Sequence, residues 1–245
     1  MRAPLLLIAA LIVAPNANAD APCKEETFEG SRITVCAVDT KLHDIALAWD
    51  DSSGVPYRAF HVYAEKNDTK TVRFAMNAGM FHFDGTPVGL LKIEGREIGR
   101  LSTKDGPGNF HMKPNGVFFT VAGNVGIETT DAFAKRTNAQ SATQSGPMLL
   151  INGALHPSFQ EDGPSRLIRN GVGIRGSQKV FFAISEDPVS FGKFARFFRD
   201  RLDCTDALYF DGTVSSLWVP SQSREDKSVP FGAMVVVRDK PAKQQ

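Results

Sequence analysis

The sequence predicts an α+β fold, a single domain with a large mainly antiparallel or mixed β-sheet and a few packed helices. Three observations lead there. Segments that alternate apolar and polar residues outnumber those with helical spacing. Several come in pairs flanking a short turn, at Gly95, at Ala122-Gly123 and at Asn152-Gly153, as hairpins do. No regular strand–helix–strand rhythm runs through the chain, so a doubly wound parallel sheet is not expected.

Taken in order, residues 32–38 (RITVCAV) alternate as a strand should, with Ile33, Val35 and Ala37 on one face. Residues 43–49 form a second strand, ended by the polar turn 50–54. Residues 59–67 lack Gly and Pro and predict a short helix before a strand at 71–76. Two hairpins follow, 89–94 with 96–100 and 117–121 with 124–128, the first carrying Leu90, Ile93 and Ile98 inward. A helical turn or two at 131–136 precedes a hairpin of 148–151 with 154–155, and strands at 171–176 and 179–185 come next. The clearest helix is 190–202 (SFGKFARFFRDRL): Ser190 suits its N-cap, and Phe191, Phe194, Ala195, Phe198 and Leu202 fall on one stripe. Short strands at 207–210, 217–219 and 231–237 complete the pattern.

The first residues read as a processing signal. Arg2, the apolar run 5–14 and Ala17-Asn18-Ala19 fit a signal peptide over 1–19, cleaved before Asp20. That run is too short to span a bilayer and no later segment is longer, so an exported protein, periplasmic or extracellular and with no stable membrane span, is expected. Residues 20–31 are then an N-terminal extension, 32–238 the domain and 239–245 a polar tail. The chain has 28 Lys and Arg against 27 Asp and Glu, and Arg2 is the only charge in the leader, so the rest is formally neutral. With no basic excess, nucleic acid is not an expected partner. Export favours a disulfide among Cys23, Cys36 and Cys204. Cys23 with Cys36 would close a short loop and Cys36 with Cys204 would tie distant segments; spacing does not choose between them.

Four stretches set Asn, Gln, Asp or Ser beside Gly next to an apolar run: FAMNAGMFHFDG, GNFHMKPNGVFF, ATQSGPMLLING and LYFDGTVSSL. Polar groups at the ends of buried elements, on backbone only Gly can shape, are how a scaffold presents a site to solvent. Asp211 leads the candidates: it follows an apolar strand, precedes Gly212 and is trailed by Ser215 and Ser216. A carboxylate so placed can serve as acid, base or metal ligand, against the plain alternative of an Asx turn. Arg169 suits a phosphate or carboxylate by its fork, against an ordinary surface ion pair, and Lys113 is a second cation. Asn77, Asn115, Gln144 and Ser145 can orient hydroxyls or phosphoryl oxygens, though each equally suits satisfying buried backbone. Gly79, Gly146 and Gly212 shape the loops. Ser145 lacks the G-x-S-x-G elbow, and His82, His111 and His156 show no zinc spacing. Asp187, in the acidic strand end 185–187, can pair with Asp211 or hold a divalent cation, against a solvated loop. Phe81, Phe83 and Phe110 could meet a sugar face, but loop or core packing is at least as ordinary.

These motifs also resemble a known family. NAGMF (77–81), PVGL (87–90), GNFHMKPNGVF (108–118), ATQSGPML (142–149), NGALHPSF (152–159), RNGVG (169–173) and ALYFDGTVSSL (207–217) are similar to the phosphodiester glycosidase family, that of the lysosomal uncovering enzyme, and most of all to its short bacterial exported branch. The likeness spans about 32–237. It implies hydrolysis of a sugar-1-phosphodiester at the anomeric bond, in an envelope or extracellular glycan. The family's signature positions fall on Asn77, Gly79, Asn115, Gly146, Pro147, Arg169, Asp211, Gly212 and Ser215, while Thr213 stands where a second Gly is usual. On this reading Arg169, helped by Lys113, neutralises the phosphate. Asp211 activates water or stabilises the anomeric cation, with Asp187 as second carboxylate, and Asn77, Gln144 and Asn115 hold sugar hydroxyls. Two alternatives use the same residues: a non-catalytic glycan or sugar-phosphate binding protein, needing no positioned base, and a metal-assisted phosphodiesterase, needing Asp187, Asp211 and a histidine to converge.

Overall fold

The computed structural model describes residues 21–226 and 229–241. The leader expected at 1–19 and the last residues of the expected polar tail lie outside the described residues. Three antiparallel sheets make up the domain. In spatial order the seven-stranded sheet runs Cys23–Phe28, Ser31–Asp39, Lys179–Ser185, Asn170–Arg175, Asp206–Tyr209, Met148–Ile151, Ala154–Leu155. A second sheet runs Arg224–Glu225, Leu217–Val219, Val72–Asn77, Met234–Asp239, His43–Ala48. The third runs Arg96–Gly99, Leu91–Ile93, Ser141–Ser145, Gly116–Val121, Asn124–Thr129.

One phenylalanine from each sheet meets at the centre. The Phe182 ring lies edge-on to Phe74 at 5.6 Å and to Phe118 at 5.9 Å, and all three are fully buried. Edge-to-face contacts of this kind match the positive rim of one ring to the negative face of the next, beyond the gain from burial alone. The outer face of the seven-stranded sheet is covered by the helix Phe191–Arg196, which continues as a π-helical turn Phe197–Arg201. Ser190 caps it as expected, its Oγ accepting from the Lys193 N–H at 3.1 Å, and Phe194, Ala195 and Phe198 bury the stripe. Gly173 leaves room for that stripe, since a Cβ there would lie 2.5 Å from Phe198.

The expected fold class holds, with the sheet divided in three. Three strands do not announce themselves in the sequence, one of them the two-residue Arg224–Glu225. Ser141–Ser145 (SATQS) lacks apolar alternation, yet every residue of it is buried between Leu91–Ile93 and Gly116–Val121; its polar side chains are satisfied by hydrogen bonds rather than by solvent. The expected extension is an edge strand, Cys23–Phe28, paired with Ser31–Asp39 and stapled by a Cys23–Cys36 disulfide. Lys24 and Glu25 are exposed, as edge strands tolerate, while Glu26 is largely covered and paired with Lys24 and Arg201. Ala37, expected inward, is exposed. Cys204 is a buried free thiol, its pKa pushed up to about 12 by burial. Among the described residues no helix is long and apolar enough to cross a membrane.

Candidate active site

The ends of all three sheets converge on one polar knot. Asn77 closes its strand with both side-chain atoms committed: Nδ2 donates to the Asp211 carbonyl at 3.0 Å, and Oδ1 accepts from Asn170 Nδ2 and from the Ser216 N–H, both at 2.8 Å. Asn170 Nδ2 also reaches the Asn77 carbonyl at 3.0 Å. From the third sheet, Ser145 Oγ donates to the Phe210 carbonyl at 2.8 Å. A buried network with every member satisfied fixes one geometry. Here it fixes the turn that follows the strand Asp206–Tyr209 and carries Asp211.

Asp211 caps the short 3₁₀ turn Gly212–Val214, Oδ1 accepting from the Thr213 N–H at 3.2 Å. It has no ion-pair partner among the described residues, and burial raises its pKa, a shift the Thr213 N–H partly offsets. Gly212 is required by its neighbours: a Cβ there would stand 2.1 Å from the Tyr209 hydroxyl oxygen and 2.8 Å from the Ile168 carbonyl. Gly79 and Gly146 are equally tight. Their Cβ atoms would come within 2.5 Å of the Gln144 carbonyl and 2.6 Å of Asn115 Cβ.

Arg169 is 0% exposed. Its Nε donates to the Val189 carbonyl at 2.8 Å, and Nη2 donates to the Ser165 carbonyl at 2.9 Å and to Ser165 Oγ at 3.2 Å. Phe191 stacks on the guanidinium 3.5 Å from its ring centroid, and the Tyr209 centroid lies 5.6 Å away. Nη1 has no hydrogen-bond partner, and no carboxylate pairs with the charge among the described residues. A buried cation without an anion is costly, and aromatic faces return part of that cost; burial accordingly lowers the pKa of Arg169. The fork expected to grip phosphate is therefore largely engaged with protein. Tyr209 touches both the Arg169 guanidinium and the turn that bears Asp211. Its hydroxyl accepts from the Gly212 N–H at 2.8 Å, it is edge-on to Phe191 at 4.9 Å, and burial raises its pKa against the opposing pull of Arg169.

The structure brings together Asn77, Ser145, Arg169, Asp211, Gly212 and Ser215, the last donating to Asn170 Oδ1 at 3.4 Å. Other predicted residues are placed differently. Gln144 is buried with its whole amide used internally: Oε1 accepts from the Leu90 and Ser102 N–H groups, and Nε2 donates to the Ser102 carbonyl and Thr130 Oγ1. Buried Asn115 donates to the Phe110 carbonyl at 2.8 Å, and Lys113 is held by the Thr103 carbonyl and Asp105. Asp187 accepts a fork from Arg32 (Nη2 at 2.8 Å, Nε at 3.3 Å) and the Arg32 N–H, which lower its pKa. Among the described residues no three His, Cys, Asp or Glu side chains are grouped to hold a metal ion. His156 is buried and stacked on Phe159, while Phe83 is 99% exposed. Sequence reading passed over Asn170, Tyr209 and Phe191. Asn170 stood within the Arg-Asn-Gly signal; Tyr209 and Phe191 looked like core.

A family model of phosphodiester glycosidases matches residues 70–238, a span that holds Asn77, Arg169 and Asp211. The chain belongs to the phosphodiester glycosidase family. YigE of Escherichia coli K12, an uncharacterized protein, is 32% identical over 204 residues, covering 83% of this chain and 80% of that one. The zebrafish N-acetylglucosamine-1-phosphodiester alpha-N-acetylglucosaminidase catalytic domain, solved auto-inhibited by its pro-peptide, superposes with a TM-score of 0.60 at 14% identity, over 89% of this chain and 82% of that one. A hypothetical protein from Synechocystis gives 0.56 at 13% identity, over 89% and 61%. At such identities the two structures share the fold with this phosphodiester glycosidase family member. The matched span begins two residues before the second sheet's central strand, Val72–Asn77, so the edge strand with its disulfide lies outside it.

Proposed function

We propose that this protein hydrolyses a sugar-1-phosphodiester at the anomeric C–O bond, in a glycan or glycoconjugate met outside the cytoplasm. The observation that carries the reading is a pair of unneutralised groups linked through Tyr209: the buried Arg169 guanidinium with one nitrogen unpaired, and Asp211 with its raised carboxyl. A positive potential fixed beside a partly dry carboxyl suits a reaction in which a dianionic phosphate departs while positive charge grows at the anomeric carbon.

In this mechanism Asp211 touches the reacting atoms. It accepts a proton from the attacking water, or faces the oxocarbenium-like transition state as a carboxylate. Phosphomonoester is a weak base, so its departure needs charge stabilisation more than protonation. Arg169 supplies that by its field. Asn77 and Asn170 hold the turn and leave Asp211 one orientation.

The test is release of reducing sugar and phosphomonoester from a panel of sugar-1-phosphodiesters. Asp211→Asn is expected to lower turnover roughly 10²–10⁴-fold with an unchanged circular dichroism spectrum. An unaltered rate would remove Asp211 from the chemistry, and no release from any member of the panel by the wild-type protein would leave a binding protein as the better reading.

A further inference from the structure

Beside the Asp211 turn opens a cleft of about 290 Å³ lined by Ile168, Ile184, Glu186, Ser215, Arg224 and Asp226. It touches both halves of the site. Ser215 belongs to the Asp211 turn, Ile168 precedes Arg169, and Ser185, also on its wall, accepts from the Arg169 N–H at 2.9 Å.

The cleft holds a cation, but not one available to a phosphate. Arg224 Nε and Nη2 donate to the two Asp226 oxygens at 3.0 and 2.9 Å, and Nη1 donates to Glu186 Oε1 at 2.6 Å and to Thr34 Oγ1 at 3.1 Å. Among the described lining residues, two carboxylates against one guanidinium leave one net negative charge. A phosphate entering here would meet like charge and no free donor fork. A sugar would meet carboxylate oxygens and a serine hydroxyl able to accept from neighbouring hydroxyls. Two isoleucines would face its C–H surface.

We propose that this cleft is the glycone subsite and that it selects an uncharged sugar, the phosphate lying on the Arg169 side. The inference rests on the phosphodiester-hydrolase reading and adds what that reading leaves open: which substituent of the scissile bond goes where, and the charge class of the sugar. Glu186 and Asp226, through Arg224, are the specificity-determining residues.

The experiment compares two substrates with the same phosphodiester substituent, a glucosyl and a glucuronyl one. The wild-type protein is expected to favour the neutral glycone at least about tenfold in kcat/KM, because like charges placed together in a site are strongly disfavoured. Glu186→Gln should shrink that preference several-fold, mostly by improving KM for the uronate. Equal rates on both glycones, or a preference untouched by Glu186→Gln, would overturn the subsite while leaving hydrolysis standing. If the wild type cleaves neither, nor any other member of the sugar-1-phosphodiester panel, the hydrolase reading falls. The subsite is then judged by saturation-transfer NMR with free glucose and free glucuronate: glucose binding that Glu186→Gln alters supports it, and absence of binding overturns it. Should Glu186→Gln fail to fold, Asp226→Asn removes the other carboxylate charge and is read the same way.

Discussion

The Tyr209 hydroxyl accepts the Gly212 N–H at 2.8 Å across one turn of chain, and the same ring walls the Arg169 guanidinium. One side chain therefore ties the buried cation to the backbone that bears Asp211. Replacing Tyr209 by Phe keeps the wall and deletes the acceptor, leaving a buried N–H unpaired. A loss of about 1–3 kcal/mol in unfolding free energy is expected by denaturant titration.

Gly212→Ala attacks the same contact from the other side. Its Cβ would stand 2.1 Å from the Tyr209 oxygen, and overpacking of this kind costs about 1–3 kcal/mol. Because Tyr209→Phe removes the atom struck first, the double variant should be less destabilised than the sum, with a coupling on the order of 1 kcal/mol. Strict additivity would show that the two residues are not joined as described.

Asp211 carries a pH signature. Its folded-state pKa is raised by burial, so the folded protein binds the proton more tightly than the unfolded chain. Stability is then fully present below the unfolded pKa and falls as pH rises toward the folded one. Asp211→Asn should remove that loss. At neutral pH its melting temperature is expected to equal or exceed that of the wild type while activity collapses, and a clear fall in melting temperature would contradict the burial argument.

The Cys23–Cys36 bridge, at a sequence separation of 13, secures an edge strand. Replacing both by Ser should cost about 3 kcal/mol by chain entropy, read as a lower denaturation midpoint. The turn that bears Asp211 lies on other strands, so kcat at low temperature should stay within about twofold. Cys204, buried and with its thiolate strongly disfavoured, should react with a thiol reagent only on unfolding.

Asn77, Asp211 and Gly212 were legible because their signal is local: an apolar strand, a polar residue with its own role, and a glycine. Hairpins read for the same reason. What stayed hidden depended on remote partners. Nothing near Arg169 tells that Phe191 will stack on it and Ser165 occupy its fork, so a buried cation looked like a surface one. Tyr209, inside an apolar run, read as core, though its hydroxyl holds the next turn. Gln144 looked like a cleft wall until the Ser102 backbone folded against its amide, and Asp187 depends on Arg32 from a neighbouring strand. The strand Ser141–Ser145 was missed because pairing on both sides, not apolar alternation, makes it one.

Product analysis in oxygen-18 water reaches the central claim most directly. With a sugar-1-phosphodiester as substrate, the label is expected on the anomeric hydroxyl of the released sugar and not on phosphate. Label in the phosphomonoester would mean attack at phosphorus, and the anomeric mechanism built on Asp211 and Arg169 would be wrong.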